Sequence, residues 1–181
     1  MRRTPNMSVK SFRAFLQQEA AAPIRPTDRI VYSTRPTLDT TFRQSPVPSG
    51  DQITTADIKP QGMWYGLGTS WKDYASENGL RVGSYVYRVQ LDPDRILAVT
   101  PVNLRSFTRQ YGERWRVRGF DLGWKIKWNN VAQHYAGVEF NPYNKWSHAV
   151  GEDSLWYQGI DVPSGCVWDG SAITSVESLS S

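Results

Sequence analysis

A group of hydroxyl side chains and one guanidinium stands at residues 32–36, in the order Tyr32, Ser33, Thr34, Arg35 and Pro36. Hydroxyl groups can hydrogen-bond an amide or a ribose, and an arginine can hold a phosphate through two parallel hydrogen bonds. The segment could therefore bind a nucleotide-like ligand. In the alternative interpretation, Ser33 and Thr34 only close a turn before the proline.

A second segment, residues 62–74, combines aromatic side chains with three glycines. Glycine lets the backbone approach a ligand closely, and Tyr65 and Tyr74 could hold a flat ring between them. A buried strand followed by a capped helix explains the apolar positions without a ligand, but it leaves the many aromatic residues unexplained. The candidate ligand-binding residues of this segment are Gly62, Trp64, Tyr65, Ser70 and Tyr74.

Two carboxylates could supply negative charge to such a site. Glu139 lies in the otherwise apolar segment 136–140, and Asp161 precedes the apolar segment 165–168. Burying a carboxylate costs free energy unless it is paired or used in function. Each could instead be a structural hydrogen-bond acceptor, so both remain open as catalytic candidates.

The order of these segments resembles the ADP-ribosyltransferase superfamily, in particular its diphtheria toxin-like and poly(ADP-ribose) polymerase-like members. Residues 32–36 look like the family's first-strand motif, and residues 62–74 look like its glycine-bounded aromatic strand and the helix that follows. Residues 85–91 look like its central strand. The resemblance covers residues 29–170.

The resemblance implies an α+β fold, a compact ADP-ribosyltransferase-like one with a split mixed or antiparallel β core and short helices. It also implies NAD as a substrate, with aromatic rings against the nicotinamide, Arg35 at the pyrophosphate and no need for a metal. A carboxylate would stabilise the positive charge that builds on the ribose as nicotinamide leaves. The residues that would bind NAD are Tyr32, Ser33, Thr34, Arg35, Gly62, Trp64, Tyr65, Ser70 and Tyr74.

The chain departs from the family pattern in two places. Residues 33–35 stand where many members have a histidine motif, which leaves open how the nicotinamide amide and the ribose are held. The late acidic residue is either Glu139 or Asp161, and we prefer Glu139 because it follows Gly137 on a predicted strand.

The expected function is transfer of ADP-ribose from NAD to a macromolecule, either protein or nucleic acid, as in a toxin, a defence factor or a phage factor that modifies its host. An alternative is a non-catalytic nucleic-acid-binding module, because the basic segment 105–128 also contains Trp115, Trp124 and Trp128, which could stack on bases. A third possibility is a protein with the same fold that binds a partner without catalysis.

The composition is that of a globular protein, with 39% hydrophobic and 21% charged residues in 181. The single cysteine, Cys166, excludes an internal disulfide, and the basic N-terminal segment lacks the apolar stretch of a secretory signal. We therefore expect a cytoplasmic protein without a membrane partner. The common phosphate-loop, dinucleotide-binding, zinc-protease and hydrolase motifs are missing from the sequence.

Periodicity and turn residues predict short strands separated by single helices, a rhythm typical of an α+β fold. We divide the chain into a helical N-terminal extension (1–28), the main domain (29–170) and a flexible tail (171–181). Strands are predicted at 29–34, 62–66, 84–91, 96–99, 138–140 and 165–168, with a long loop at 37–61. Helices are predicted at 8–21, 71–78, 103–111 and 129–135, and the serine-rich end from Ser171 is expected to fray.

Overall fold

A computed structural model describes residues 23–47, 59–117, 119–144 and 152–179. The helix predicted at residues 8–21 lies outside these ranges. Nine strands are described: β1 (Arg29–Ser33), β2 (Met63–Leu67), β3 (Tyr85–Leu91), β4 (Ile96–Val99), β5 (Gly112–Val117), β6 (Phe120–Ile126), β7 (Gly137–Phe140), β8 (Ser164–Val167) and β9 (Ile173–Ser178).

Seven of the described strands form one mixed sheet in the order β4-β7-β8-β2-β1-β3-β9. Strands β4 and β7 are parallel, and the other neighbours are antiparallel. Strands β5 and β6 form a separate antiparallel hairpin. The chain is therefore an α+β protein, as the sequence predicts.

Within the described residues, three short α-helices connect the strands: α1 (Ser70–Glu77), α2 (Leu104–Tyr111) and α3 (Trp128–Ala132). Helix α1 stops before Gly79, whose φ of +66° is a conformation that glycine adopts without steric cost. The same described ranges contain three 3-10 helices, at Pro93–Arg95, Glu152–Gly159 and Gly170–Ala172. In the part of the chain that is described, none of the helices has the length and apolar character needed to span a bilayer.

Both faces of the large sheet are covered by apolar side chains. On one face, aromatic residues of β7, the 3-10 helix 152–159 and α3 form a cluster that includes Phe140, Trp156 and Trp128. On the other face, alternate residues of β3, such as Tyr87 and Val89, pack against β1 and β2. The alternation predicted for β3 is thereby confirmed, since side chains on a strand point to opposite faces in turn.

Predicted elements within the described ranges agree closely with the structure. Strands β1, β2, β3, β4, β7 and β8 begin and end within one residue of their predicted bounds, and so do helices α1 and α2. Helix α3 ends three residues earlier than predicted. Residues 37–47 contain a single isolated bridge, between Arg43 and Asp169, which agrees with the predicted loop.

The prediction that the chain frays from Ser171 is wrong for residues 171–178. Residues Ile173–Ser178 form β9, an edge strand that pairs with β3 from Tyr87 to Leu91. Five of its six residues are exposed, so the strand lacks the alternation by which half-buried strands are recognised. The β5–β6 hairpin and the 3-10 helix 152–159 are also elements that the sequence reading did not predict.

An ionic network around the buried pair of Asp28 and Arg88 connects three distant parts of the chain. Arg88 on β3 donates from Nε to Asp28 Oδ2 (2.9 Å) and from Nη1 to Glu177 Oε2 on β9 (2.6 Å). Arg25 also binds the Asp28 carboxylate, with its side-chain Nε 3.0 Å from Oδ1. Burial acts to raise the pKa of Asp28, but the hydrogen bonds from Arg25 and the charge of Arg88 outweigh it and hold that pKa below its usual value.

Candidate functional site

A pocket of about 360 Å³ opens over the middle of the large sheet, on the face of the aromatic cluster. Strands β1, β2 and β8 contribute residues to it, and helix α1 and the segment before β8 line its sides. Its size falls in the range of about 300–1,000 Å³ that is typical of small-molecule sites. The lining residues with aromatic or polar side chains are Tyr32, Lys59, Trp64, Tyr65, Trp71, Asp161 and Ser164.

Strand alternation brings these side chains to one face. Tyr32 follows Ile30 by two positions on β1, and Trp64 and Gly66 are two apart on β2. At Gly66 a Cβ atom would lie 2.8 Å from the Cβ of Trp71. Glycine at this position therefore lets α1 pack directly against β2, which places the Trp71 ring at the pocket.

Asp161 is the carboxylate of this pocket. Its Oδ2 accepts from Lys59 Nζ at 3.2 Å, and its Oδ1 accepts from the Tyr74 hydroxyl at 3.4 Å. The charge of Asp161 is the main reason that the pKa of Tyr74 is raised. Burial, and then the charges of Tyr157 and Asp161, raise the pKa of Tyr143 to about 12. Tyr143 therefore lies within electrostatic range of the Asp161 carboxylate.

The Tyr32 hydroxyl is buried and has no hydrogen-bond partner among the described residues. Burial, with a smaller contribution from the charge of Asp73, raises the pKa of Tyr32, so the group is a neutral donor at pH 7. A buried hydroxyl without a partner costs free energy that a bound ligand can recover. The Tyr32 hydroxyl is therefore a donor that the described residues leave unused.

Glu139 lies on the opposite face of the sheet from the pocket. It pairs with Gly165 on β8, which pairs in turn with Tyr65 on β2, so the three residues point to the same side. Its Oε2 accepts from Arg29 Nε at 2.6 Å and from the Tyr65 hydroxyl at 2.9 Å. Burial, and then the charge of Glu139, raise the pKa of Tyr65 well above its usual value.

The structure brings together only part of the predicted site. Tyr32, Trp64 and Asp161 line the pocket, and Tyr74 reaches it through Asp161. Tyr65 also belongs to the lining, but its hydroxyl lies on the opposite face of the sheet, where it donates to Glu139. Ser70 lies next to Trp71 and donates from its hydroxyl to the Pro163 carbonyl at 3.1 Å. Besides Ser70 and Tyr74, the predicted residues that do not line the pocket are Ser33, Thr34, Arg35, Gly62 and Glu139.

Local structure explains several of these outlying residues. The Ser33 hydroxyl accepts from the Arg35 amide at 3.0 Å, which is the turn-closing role of the alternative interpretation, and the Arg35 side chain is exposed. Gly62 lies against the backbone of β8, where a Cβ would collide with the Val167 carbonyl. Its glycine is thus required by strand packing.

Four residues near the carboxylate were missed by the sequence reading: Lys59, Trp71, Tyr143 and Ser164. Trp71 lies inside the predicted aromatic segment, so its ring was a detectable signal. Lys59 belongs to the predicted loop 37–61, and nothing in the sequence distinguishes it from other lysines.

The basic segment 105–128 forms α2, the β5–β6 hairpin and the start of α3. On the hairpin, Arg114 Nη2 lies 2.6 Å from Asp121 and Lys125 Nζ lies 3.1 Å from Glu113. The Arg114 guanidinium also stands 5.8 Å from the centre of the Trp124 ring. The two acids of segment 105–128 are therefore paired within the hairpin, and the segment's seven basic residues leave a net charge of +5.

Comparison with family models, curated proteins and solved structures gives no match for this chain. Any proposal for the function of the chain therefore rests on the geometry of the pocket. Within the described ranges, no three His, Cys, Asp or Glu side chains are grouped so that they could hold a metal ion.

Proposed function

We propose that the chain binds NAD⁺ in this pocket and transfers its ADP-ribosyl group to a macromolecule, either protein or nucleic acid. The observation that carries the proposal is the placement of the Asp161 carboxylate among the aromatic walls formed by Tyr32, Trp64 and Trp71. An acidic group beside stacked rings suits a reaction in which a sugar bearing a flat base becomes cationic.

The aromatic walls provide for the nicotinamide. Trp64 and Trp71 present large apolar rings to a flat ligand, and such stacking contributes about 0.5–1.5 kcal/mol beyond the area buried. The unpartnered Tyr32 hydroxyl can donate to the amide carbonyl or to a ribose oxygen. The volume of about 360 Å³ suits the nicotinamide–ribose half of NAD⁺, which leaves the adenosine half outside.

The proposed reaction breaks the bond between ribose C1′ and the nicotinamide nitrogen. The bonding electron pair leaves with nicotinamide, and C1′ acquires the positive charge of an oxocarbenium ion. Asp161 stabilises this charge, and the acceptor's nucleophile then forms the new bond to C1′. The Asp161 carboxylate accepts the proton that the nucleophile loses, and the products are nicotinamide and the ADP-ribosylated macromolecule.

The arrangement of elements supports an ADP-ribosyltransferase-like fold as part of the same proposal. The first-strand segment lies on β1, directly beside the aromatic strand β2, and α1 follows at once with Tyr74 pointing to Asp161. Of these parts, Tyr32 and Trp64 line the pocket, whereas Ser33, Thr34 and Arg35 of the first-strand segment do not.

Removing the Asp161 charge tests the proposal. Asp161→Asn keeps the shape of the side chain, and we expect transfer of labelled ADP-ribose from NAD⁺ to fall by about 10²–10³-fold, the cost of losing one electrostatic stabiliser. The assay incubates the purified protein with labelled NAD⁺ and a cell extract, and then digests the product with nuclease or protease to identify the acceptor class. Unchanged labelling by Asp161→Asn would contradict the proposal.

The alternative proposal, a non-catalytic nucleic-acid-binding module, has weaker support. The described hairpin carries three basic and two acidic residues, and the acids pair with the bases. Binding of that kind would weaken steeply as salt rises and would not depend on Asp161. A salt titration with labelled nucleic acid therefore separates the two functions.

A further inference from the structure

Lys59 is a charged residue at the pocket for which the proposed reaction has no role. Among the described residues that line the pocket, it is the one cation. Its Nζ lies 3.2 Å from Asp161 Oδ2 and 5.7 Å from the centre of the Trp64 ring. Its aliphatic carbons pack on Gly159, with Cε 3.1 Å from where a Cβ would lie there.

Because Arg35 lies outside the pocket, another residue must supply the positive charge for a phosphate. The resemblance assigned the pyrophosphate to Arg35, but the Arg35 side chain is exposed and is not part of the pocket lining. A phosphorylated ligand needs positive charge where its phosphates lie, because burying a phosphate without a counter-charge costs free energy. Lys59 is placed to provide that charge.

We infer that Lys59 binds the phosphate next to the nicotinamide ribose. The pocket would then bind phosphorylated nicotinamide nucleotides more tightly than the nucleoside that lacks a phosphate. The inference rests on the proposed function and adds the residue that recognises the phosphate. Lysine acts as a compact point charge on a flexible stem, which suits a phosphate that approaches from the pocket mouth.

Because Lys59 is paired with Asp161, phosphate binding by Lys59 also changes the surroundings of the Asp161 carboxylate. The two side chains are 39% and 31% exposed, so their pairing is weak and a phosphate can compete for Nζ. When Nζ moves to the phosphate, the Asp161 carboxylate loses its cationic partner and faces the ribose. Phosphate binding and exposure of the carboxylate are thereby linked at a single residue.

Binding of three ligands by calorimetry tests the inference: NAD⁺, nicotinamide mononucleotide and nicotinamide riboside, which has no phosphate. We expect Lys59→Met to raise the Kd of NAD⁺ and of the mononucleotide by about tenfold to hundredfold, the effect of a lost charge-assisted hydrogen bond. The Kd of the riboside should change less than twofold. Lys59→Arg keeps the charge and should retain most of the affinity for the phosphorylated ligands.

Two controls make the result specific. Lys72→Met removes an exposed lysine of α1 that does not line the pocket, and it should leave all three Kd values unchanged. The double variant Lys59→Met with Asp161→Asn tests whether Lys59 acts only by neutralising Asp161. Direct phosphate binding predicts that the double variant still binds the mononucleotide poorly, whereas recovery of affinity would overturn the inference.

The remaining outcomes separate the inference from the proposed function. If the wild type binds all three ligands and Lys59→Met weakens them equally, the phosphate role is wrong while the pocket remains a nicotinamide site. If the wild type binds none of the three, both the inference and the proposed function are overturned. Thermal melting of each variant shows that a loss of affinity is not a loss of fold.

Discussion

Two carboxylates that the sequence could not distinguish have different surroundings in the folded chain. Glu139 is held on one face of the sheet by Arg29 and Tyr65 and is 14% exposed. Asp161 lies on the pocket side, where its contacts are a lysine and a tyrosine hydroxyl that remain partly exposed to solvent. A carboxylate with strong fixed partners stabilises structure, whereas one beside an open pocket is available to a ligand.

Replacing Glu139 should affect stability and leave chemistry intact. Glu139→Gln keeps the shape but removes the charge that pairs with Arg29, which is 28% exposed. We expect the free energy of unfolding to fall by about 1–3 kcal/mol, since a charge-assisted hydrogen bond is lost in a partly buried setting. Urea denaturation measures the change, and a large loss of NAD⁺ cleavage by the still-folded variant would contradict this structural role.

Replacing Tyr32 should weaken ligand binding without lowering the stability of the fold. The hydroxyl is buried without a partner among the described residues, so Tyr32→Phe removes no protein hydrogen bond. We expect the melting temperature to stay equal or to rise, because an unsatisfied buried group costs about 1–3 kcal/mol. The Kd for NAD⁺ should rise by about tenfold. A variant that is less stable yet binds equally well would show that the hydroxyl serves the fold instead.

At the scale of elements, the pocket depends on strands that are distant in sequence and adjacent in space. Strand β8 pairs with β2, and β2 pairs with β1, so residues around 32, 64 and 164 share one surface. The segment before β1 is attached to the same sheet through Asp28, which binds Arg88 on β3. Arg88 also donates a hydrogen bond to Glu177 on β9, so it links this edge strand to the segment before β1.

This network predicts a stability loss in acid. The pKa of Asp28 is depressed in the folded chain, so its contribution is fully present above its unfolded pKa of about 3.9 and is lost as the pH falls towards the folded value. Asp28→Asn should lower the free energy of unfolding at pH 7 by about 1.5–3 kcal/mol. The free energy of unfolding, measured by urea denaturation, should also differ less between pH 7 and pH 3 in this variant than in the wild type. Equal narrowing in an Asp94→Asn variant, which alters an exposed carboxylate, would contradict the assignment to Asp28.

The sequence predicts elements well where burial is one-sided. Strand β3 alternates apolar and polar residues, and α1 ends at a glycine, so both were found within one residue. Strand β9 was missed because five of its six residues are exposed, and pairing with β3 rather than burial holds it in place. The hairpin was missed because its charged residues alternate in sign across the two strands and look like surface.

The site was harder to predict, since it depends on which face each side chain takes. A shift of one residue in register reverses that face, and the register between β7, β8 and β2 is decided by packing over the whole sheet. The sequence alone therefore could not show that Glu139 faces Arg29. The position of Lys59 is set by the contact of a loop with Gly159 and Asp161, which leaves no pattern in the sequence.

For the whole molecule, the uneven distribution of charge along the sequence is reflected in ion pairs between its two parts. Residues 146–181 contain five acids and no lysine or arginine. Three of these acids pair with basic residues from earlier in the chain: Asp161 with Lys59, Asp169 with Arg95, and Glu177 with Arg88. The acidic end thus packs onto the basic body and delivers Asp161 to the pocket.

The central claim is that the Asp161 carboxylate stabilises a cationic ribose carbon as nicotinamide leaves. The most direct measurement is the rate of nicotinamide release from NAD⁺ in the presence of the acceptor extract, compared among wild type, Asp161→Asn and Glu139→Gln. We predict release by the wild type, a rate about 10²–10³-fold lower for Asp161→Asn, and a rate within a few-fold of wild type for folded Glu139→Gln. Release that is insensitive to Asp161→Asn, or no release by the wild type in any extract, would contradict the account.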